Sequence, residues 1–116
     1  MVTNLEGIYT AYFTGATGNS TGMFIFQSGV ITGADVGGGR YDGKYSFSDD
    51  GTRIRGDVKF SLPVGNSTIT GFAAETTPIV VEMALDLPAE FNRHDVHRIE
   101  TPLGPINAKF EKIRGL

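Results

Sequence analysis

Apolar and polar residues alternate with a period of two along most of the chain, the pattern of strands that bury one face and wet the other. Over 40–47, Tyr41, Gly43, Tyr45 and Phe47 fall on one face and Arg40, Asp42, Lys44 and Ser46 on the other. Over 53–62, Ile54, Gly56, Val58, Phe60 and Leu62 oppose Arg53, Arg55, Asp57, Lys59 and Ser61. Strands of this kind belong to an antiparallel sheet over a single core. Asp50-Gly51 lies between the two runs, and because glycine tolerates positive φ, a hairpin is expected there.

Two other segments, 7–15 and 22–29, are apolar on both faces: Phe24 and Phe26 oppose Met23 and Ile25. Such strands need cover outside the sheet, which a second subunit would supply. The stretch 15–22 reads as a turn, and Ser28-Gly29 as a tight connection into a short strand that starts at Val30. Residues 78–88 alternate again, with β-branched residues at their start and prolines at both ends, which favours strand over helix. Residues 62–78 read as a long loop with a short strand at 67–73, and 89–101 as one helical turn followed by a strand at 96–100. A turn at "TPLGP" leads into a last strand over 106–113, with Ile106, Ala108 and Phe110 inward. The total is seven or eight closely spaced strands in one domain spanning 1–116. The expected class is all-β: a small antiparallel up-and-down β-barrel of about eight strands. A sandwich would give a similar sequence. A barrel of eight strands has an interior that side chains fill, or that holds one small ligand.

Composition sharpens this reading. Glycine supplies 16 of 116 residues, about twice the usual share, and there are eight Phe, four Tyr and no Trp. Aromatics on a sheet, with glycines where the wall bends, suit a β protein. A net charge of −3 and a pI near 5.2 lack the basic excess of nucleic-acid binders, so no direct nucleic-acid partner is expected. The absence of cysteine removes disulfide scaffolds, thiol nucleophiles and thiolate metal sites. The opening MVTNLEGIYTAYF lacks the basic start and long apolar stretch of a signal peptide. No run approaches the roughly 20 apolar residues of a membrane span. A soluble cytoplasmic protein without a membrane partner is expected.

Candidate chemistry is sparse. "GADVGGGR" (33–40) is glycine-rich beside a basic residue, but it lacks the P-loop spacing and the helix that phosphate loops open onto. A turn or bulge is expected instead. His94 and His97, with Glu90, have ligand chemistry for a metal, yet Arg93 and Arg98 flank them and disfavour a further cation, so exposed polar residues are expected. No nucleophile elbow or oriented base accompanies any serine. Neither an enzyme nor a cofactor is therefore expected. Asp49 and Asp50 occupy the hairpin tip, where turn chemistry or a partner-binding acid patch are both open. Tyr41, Tyr45, Phe47 and Phe60 face inward, either as core packing or as contacts to a ligand in the lumen.

The N-terminal half also carries a family pattern: Gly7-Ile8-Tyr9, Gly22 before an apolar strand, Gly29-Val30-Ile31-Thr32-Gly33-Ala34-Asp35, and Tyr41-Asp42-Gly43-Lys44-Tyr45. From Glu6 through Phe60 the chain resembles the GrlR-like family, negative regulators of type III secretion gene expression. The resemblance implies a lipocalin-like barrel that forms a homodimer and acts by binding a regulatory protein partner through an acidic cluster on a loop. The matching hairpin here is Ser48-Asp49-Asp50-Gly51, which makes Asp49 and Asp50 the implied contact. The expected function is thus a non-enzymatic protein-binding regulator, or alternatively a barrel that carries a small apolar ligand in its lumen.

Overall fold

The computed structural model describes residues 5–93 and 95–116. Eight strands follow one another: β1 (Gly7–Thr14), β2 (Asn19–Gln27), β3 (Val30–Asp35), β4 (Arg40–Phe47), β5 (Arg53–Leu62), β6 (Ile79–Pro88), β7 (His97–Ile99) and β8 (Ile106–Gly115). They form one antiparallel sheet in the order β6-β5-β4-β3-β2-β1-β8-β7. Strands β1 to β6 are a simple meander, and β8 returns to lie along β1. The sheet curls around a single core into a nearly closed barrel, so the chain is a small all-β barrel and not a two-sheet sandwich. Its two ends are β6, ten residues long, and β7, three residues long. Among the described residues no helix is long and apolar enough to cross a membrane.

The alternating faces sort as their chemistry demands. Ile54, Val58, Phe60 and Leu62 of β5 are buried, as are Phe24 and Phe26 of β2 and Ala108 and Phe110 of β8. Aromatic rings pack together inside: Phe24 meets Phe110 with centroids 6.3 Å apart, Phe13 on β1 meets Tyr41 on β4 at 6.2 Å, and Tyr41 meets its β5 neighbour Phe60 at 5.1 Å. Glycine in the wall makes room both for these rings and for the neighbouring backbone. A Cβ on Gly33 would collide with the ring of Phe24, and one on Gly56 would overlap the backbone carbonyl of Lys44. These close approaches, more than turn formation, account for inward-facing glycine in the middle of strands.

Tight turns join the strands at both ends. Ser28 and Gly29 both have positive φ, 53° and 77°, the two-residue hairpin whose twist matches that of the flanking strands. Gly51, at φ 73°, closes the β4–β5 hairpin where the Asp-Gly pair indicated.

Three local expectations are corrected. The turn between β1 and β2 is confined to 15–18, closed by the Gly15 N–H donating to the Gly18 carbonyl at 2.9 Å; Asn19 and Ser20 already pair with Thr14 and Phe13, because ladder hydrogen bonding does not require apolar side chains. Residues 67–73 make a single bridge between Ser67 and Ala73 within a loop that folds over one end of the barrel. Most notably, 89–93 forms turns and no helix, and it is not all exposed. Ala89 is buried and Phe91 is 0% exposed, and Phe91 stacks among Tyr9, Phe26 and Phe110 at centroid distances of 5.2, 5.2 and 5.1 Å. The β6–β7 connection therefore plugs one end of the barrel with a phenyl ring.

Candidate functional site

The opposite end stays open. There the inner face of the wall supplies Phe13, Phe60, Leu62, Val81, Met83 and Ile106 around a cavity of about 210 Å³. The turn over 36–39 and the tip of the 63–78 loop form its rim. That tip is held down by backbone contacts: the Thr17 N–H and the Thr17 Oγ1 hydroxyl both donate to the Ile69 carbonyl at 2.8 Å. The hydroxyls of Thr68 and Thr70 bond each other at 2.9 Å.

Asn19, Ser67, Thr68, Thr70 and Thr101 add polar side chains to the lining, and three further polar groups, Asp35, Tyr41 and Ser20, lie beside the 36–39 turn. Asp35 ends β3, and the glycines that follow it wrap its carboxylate. The N–H groups of Gly37 and Gly39 donate to Oδ1 at 3.0 and 2.9 Å, and the Tyr41 hydroxyl donates to Oδ2 at 2.7 Å. Successive backbone N–H groups in such a turn make a concavity that suits an anion. The glycine-rich run does cradle an anion here, and that anion is the chain's own carboxylate. Burial, reinforced by the hydrogen bond to Asp35 and by its charge, pushes the Tyr41 phenol well above its ordinary range, so it remains a proton donor to Asp35. The third group is Ser20. It points inward from β2 opposite Phe13, is 9% exposed, and its Oγ has no hydrogen-bond partner among the described residues. Its position was hidden in the sequence, where 15–22 read as a turn; its partial signal is the inward phase that it shares with Phe24 and Phe26.

The residues singled out from sequence divide between the two ends. Tyr41 and Phe60 line the cavity. Tyr45 lies toward the plugged end, 5.4 Å from the Phe26 ring, and Phe47, at the end of β4, is 37% exposed; neither borders the cavity. Tyr9 also lies at the plugged end, where its hydroxyl donates to the Leu5 carbonyl at 2.6 Å. Burial there, with Tyr45 adding to it, pushes the Tyr9 phenol up to about 12.

Asp49 and Asp50 are exposed at the same plugged end. Asp50 Oδ1 accepts from the Ser48 hydroxyl at 2.7 Å, the Thr52 N–H at 3.1 Å and the Thr52 hydroxyl at 2.8 Å. These bonds to its charged form hold the Asp50 carboxyl down at about 2. The turn thus engages Asp50 Oδ1, and Asp49 lies exposed beside it. 

His97 Nε2 lies 2.8 Å from the Phe91 carbonyl, Glu90 pairs with Arg93 at 2.9 Å, and His94 lies outside the described residues. Among the described residues no group of three or more His, Asp or Glu side chains is placed to hold a metal.

The outer wall has a feature of its own. Ile8, Thr10, Tyr12 and Thr14 of β1, Asn19, Thr21, Met23, Ile25 and Gln27 of β2, and Val30, Thr32 and Ala34 of β3 share that face, and none carries a charge. Charge resumes on both sides, with Lys109 and Glu111 opposite Tyr12 and Thr10 and Arg40, Asp42 and Lys44 opposite Ala34, Thr32 and Val30. Tyr12, Met23 and Ile25 are 44, 52 and 41% exposed.

Comparison of the chain with protein-family models and with curated protein sequences returns no match.

Proposed function

We propose that this chain is a non-enzymatic cytoplasmic carrier or sensor that holds a small, largely apolar molecule in the open end of its barrel. The observation that carries this reading is the 210 Å³ cavity, apolar in its walls and furnished with a buried hydroxyl that has no partner among the described residues. An apolar pocket with a few convergent polar groups is the usual form of a small-molecule site. Filled cores leave few voids larger than a water molecule, whereas this volume matches about seven waters at ~30 Å³ each. Protein purified gently from cells is expected to show, in native mass spectrometry, a discrete excess mass that denaturation removes. Val81→Phe, which pushes a ring into the cavity, is expected to abolish it. Wild-type protein at its bare mass, or an excess that survives Val81→Phe, would speak against the carrier.

A second reading follows from the uncharged outer face of β1, β2 and β3. We propose that this face pairs with a second copy, or receives the regulatory protein partner that the family resemblance implies, with Asp49 as an accessory contact. Apolar side chains exposed together within a strip that lacks charge are the usual mark of an interface. Sedimentation is expected to give a dimer whose dissociation constant rises at least tenfold in Met23→Glu, because a buried, unpaired carboxylate at an interface is costly. Met23 already faces water, so the barrel itself should tolerate the change. A wild-type monomer at high protein concentration removes the homodimer.

A further inference from the structure

The cavity also restricts the charge of what it accepts. Among the described residues that line it there is no Lys, Arg or His; Asp35 is its one ionisable carboxylate. An anionic ligand would lose its hydration without gaining a cation and would face Asp35 across a low-dielectric space. A cationic ligand fares little better. A carboxylate offers about four lone-pair sites, and Asp35 has already given three of them to Gly37, Gly39 and Tyr41. Beside the 36–39 turn, two functions suit a neutral group. The Tyr41 oxygen donates its proton to Asp35 and keeps lone pairs free to accept. Ser20 Oγ carries a proton with no acceptor among the described residues. Ser20 Oγ and the Asp35 carboxylate that Tyr41 bonds border one gap: a methyl placed on Gly37 would lie 3.3 Å from Asp35 Oδ1 and 4.0 Å from Ser20 Oγ.

We infer that the site selects an uncharged molecule with a hydroxyl or amide at one end of a short hydrocarbon body, the polar end accepting from Ser20 and donating to Tyr41 or Asp35. This rests on the carrier reading above. It makes Ser20 a specificity residue kept at some expense to the empty barrel, since a buried hydroxyl without a partner is destabilising. Function and stability should therefore respond in opposite directions at this one position.

Binding of hexanol, hexanoate and hexane to the full chain, followed by NMR chemical-shift titration, tests it. Hexanol is expected to bind at least about tenfold more tightly than hexanoate at neutral pH, with shifts at Ser20 and Tyr41. Ser20→Ala is expected to lose about tenfold in hexanol affinity, the worth of roughly one hydrogen bond. It should keep its affinity for hexane, with a Tm equal to or above that of the wild type. Tyr41→Phe should weaken hexanol in the same way. Hexanoate binding as tightly as hexanol, or Ser20→Ala binding hexanol like the wild type, overturns the inference while the carrier survives. If all three probes leave the spectrum unchanged, the carrier reading and this inference fall together.

Discussion

Gly56→Ala is expected to destabilise the barrel by more than about 3 kcal/mol, at the upper end of what overpacking costs. Gly56 sits in β5 opposite Tyr45 of β4, with its missing side chain directed at the neighbouring backbone. A Cβ there would overlap the Lys44 carbonyl and lie 2.9 Å from the Tyr45 Cα. Neither group is the free end of a flexible chain. Relief requires β4 and β5 to move apart, which breaks ladder hydrogen bonds in the middle of the wall. Gly51→Ala is the control: no atom lies within 4 Å of the added methyl, and the cost comes from a φ of 73°, about 1 kcal/mol. Urea denaturation of both variants checks the pair. A Gly56→Ala protein no less stable than Gly51→Ala would show that the wall yields more readily than this packing implies. Domains of this size have only about 5–15 kcal/mol of stability in total, so Gly56→Val is expected not to fold.

Phe91→Ala is expected to cost about 3–5 kcal/mol, the usual range for deleting a buried phenyl. The ring is fully buried and contacts three others, edge-on to Phe110 and tilted against Tyr9 and Phe26. Tyr9 and Phe26 are fixed by the β1–β2 ladder and cannot collapse far into the space left behind. The loss should appear as a Tm lowered by on the order of 15 °C and as faster amide exchange at the plugged end. The cavity lies at the other end of the barrel, lined by other residues, so hexanol affinity measured below the lowered Tm should change little. A Phe91→Ala protein within about 1 kcal/mol of the wild type would mean that the β6–β7 connection lies on the barrel without plugging it.

Much of this architecture was legible in the chain. Alternation in 53–62 and 79–88 marked both strands and their inward faces, because burial against one core imposes a period of two on any strand with a wet side. Asp50-Gly51 and Ser28-Gly29 marked hairpins, because the turn geometry itself demands positive φ. Phe91 and Ser20 were not legible. Both lie in stretches whose neighbours are polar, and whether such a residue turns inward depends on where distant strands close around it.

Local residue chemistry thus determined the strands, their faces and most of their turns, since period and φ preference act between near neighbours. Closure of the sheet determined the rest. It brought Asp35 within reach of the Gly37 and Gly39 amides and the Tyr41 hydroxyl, set Ser20 beside them, and used Phe91 to seal one end and leave the other hollow. Those relations join residues from different strands and loops, and a void belongs to no residue at all; only the folded wall can specify it.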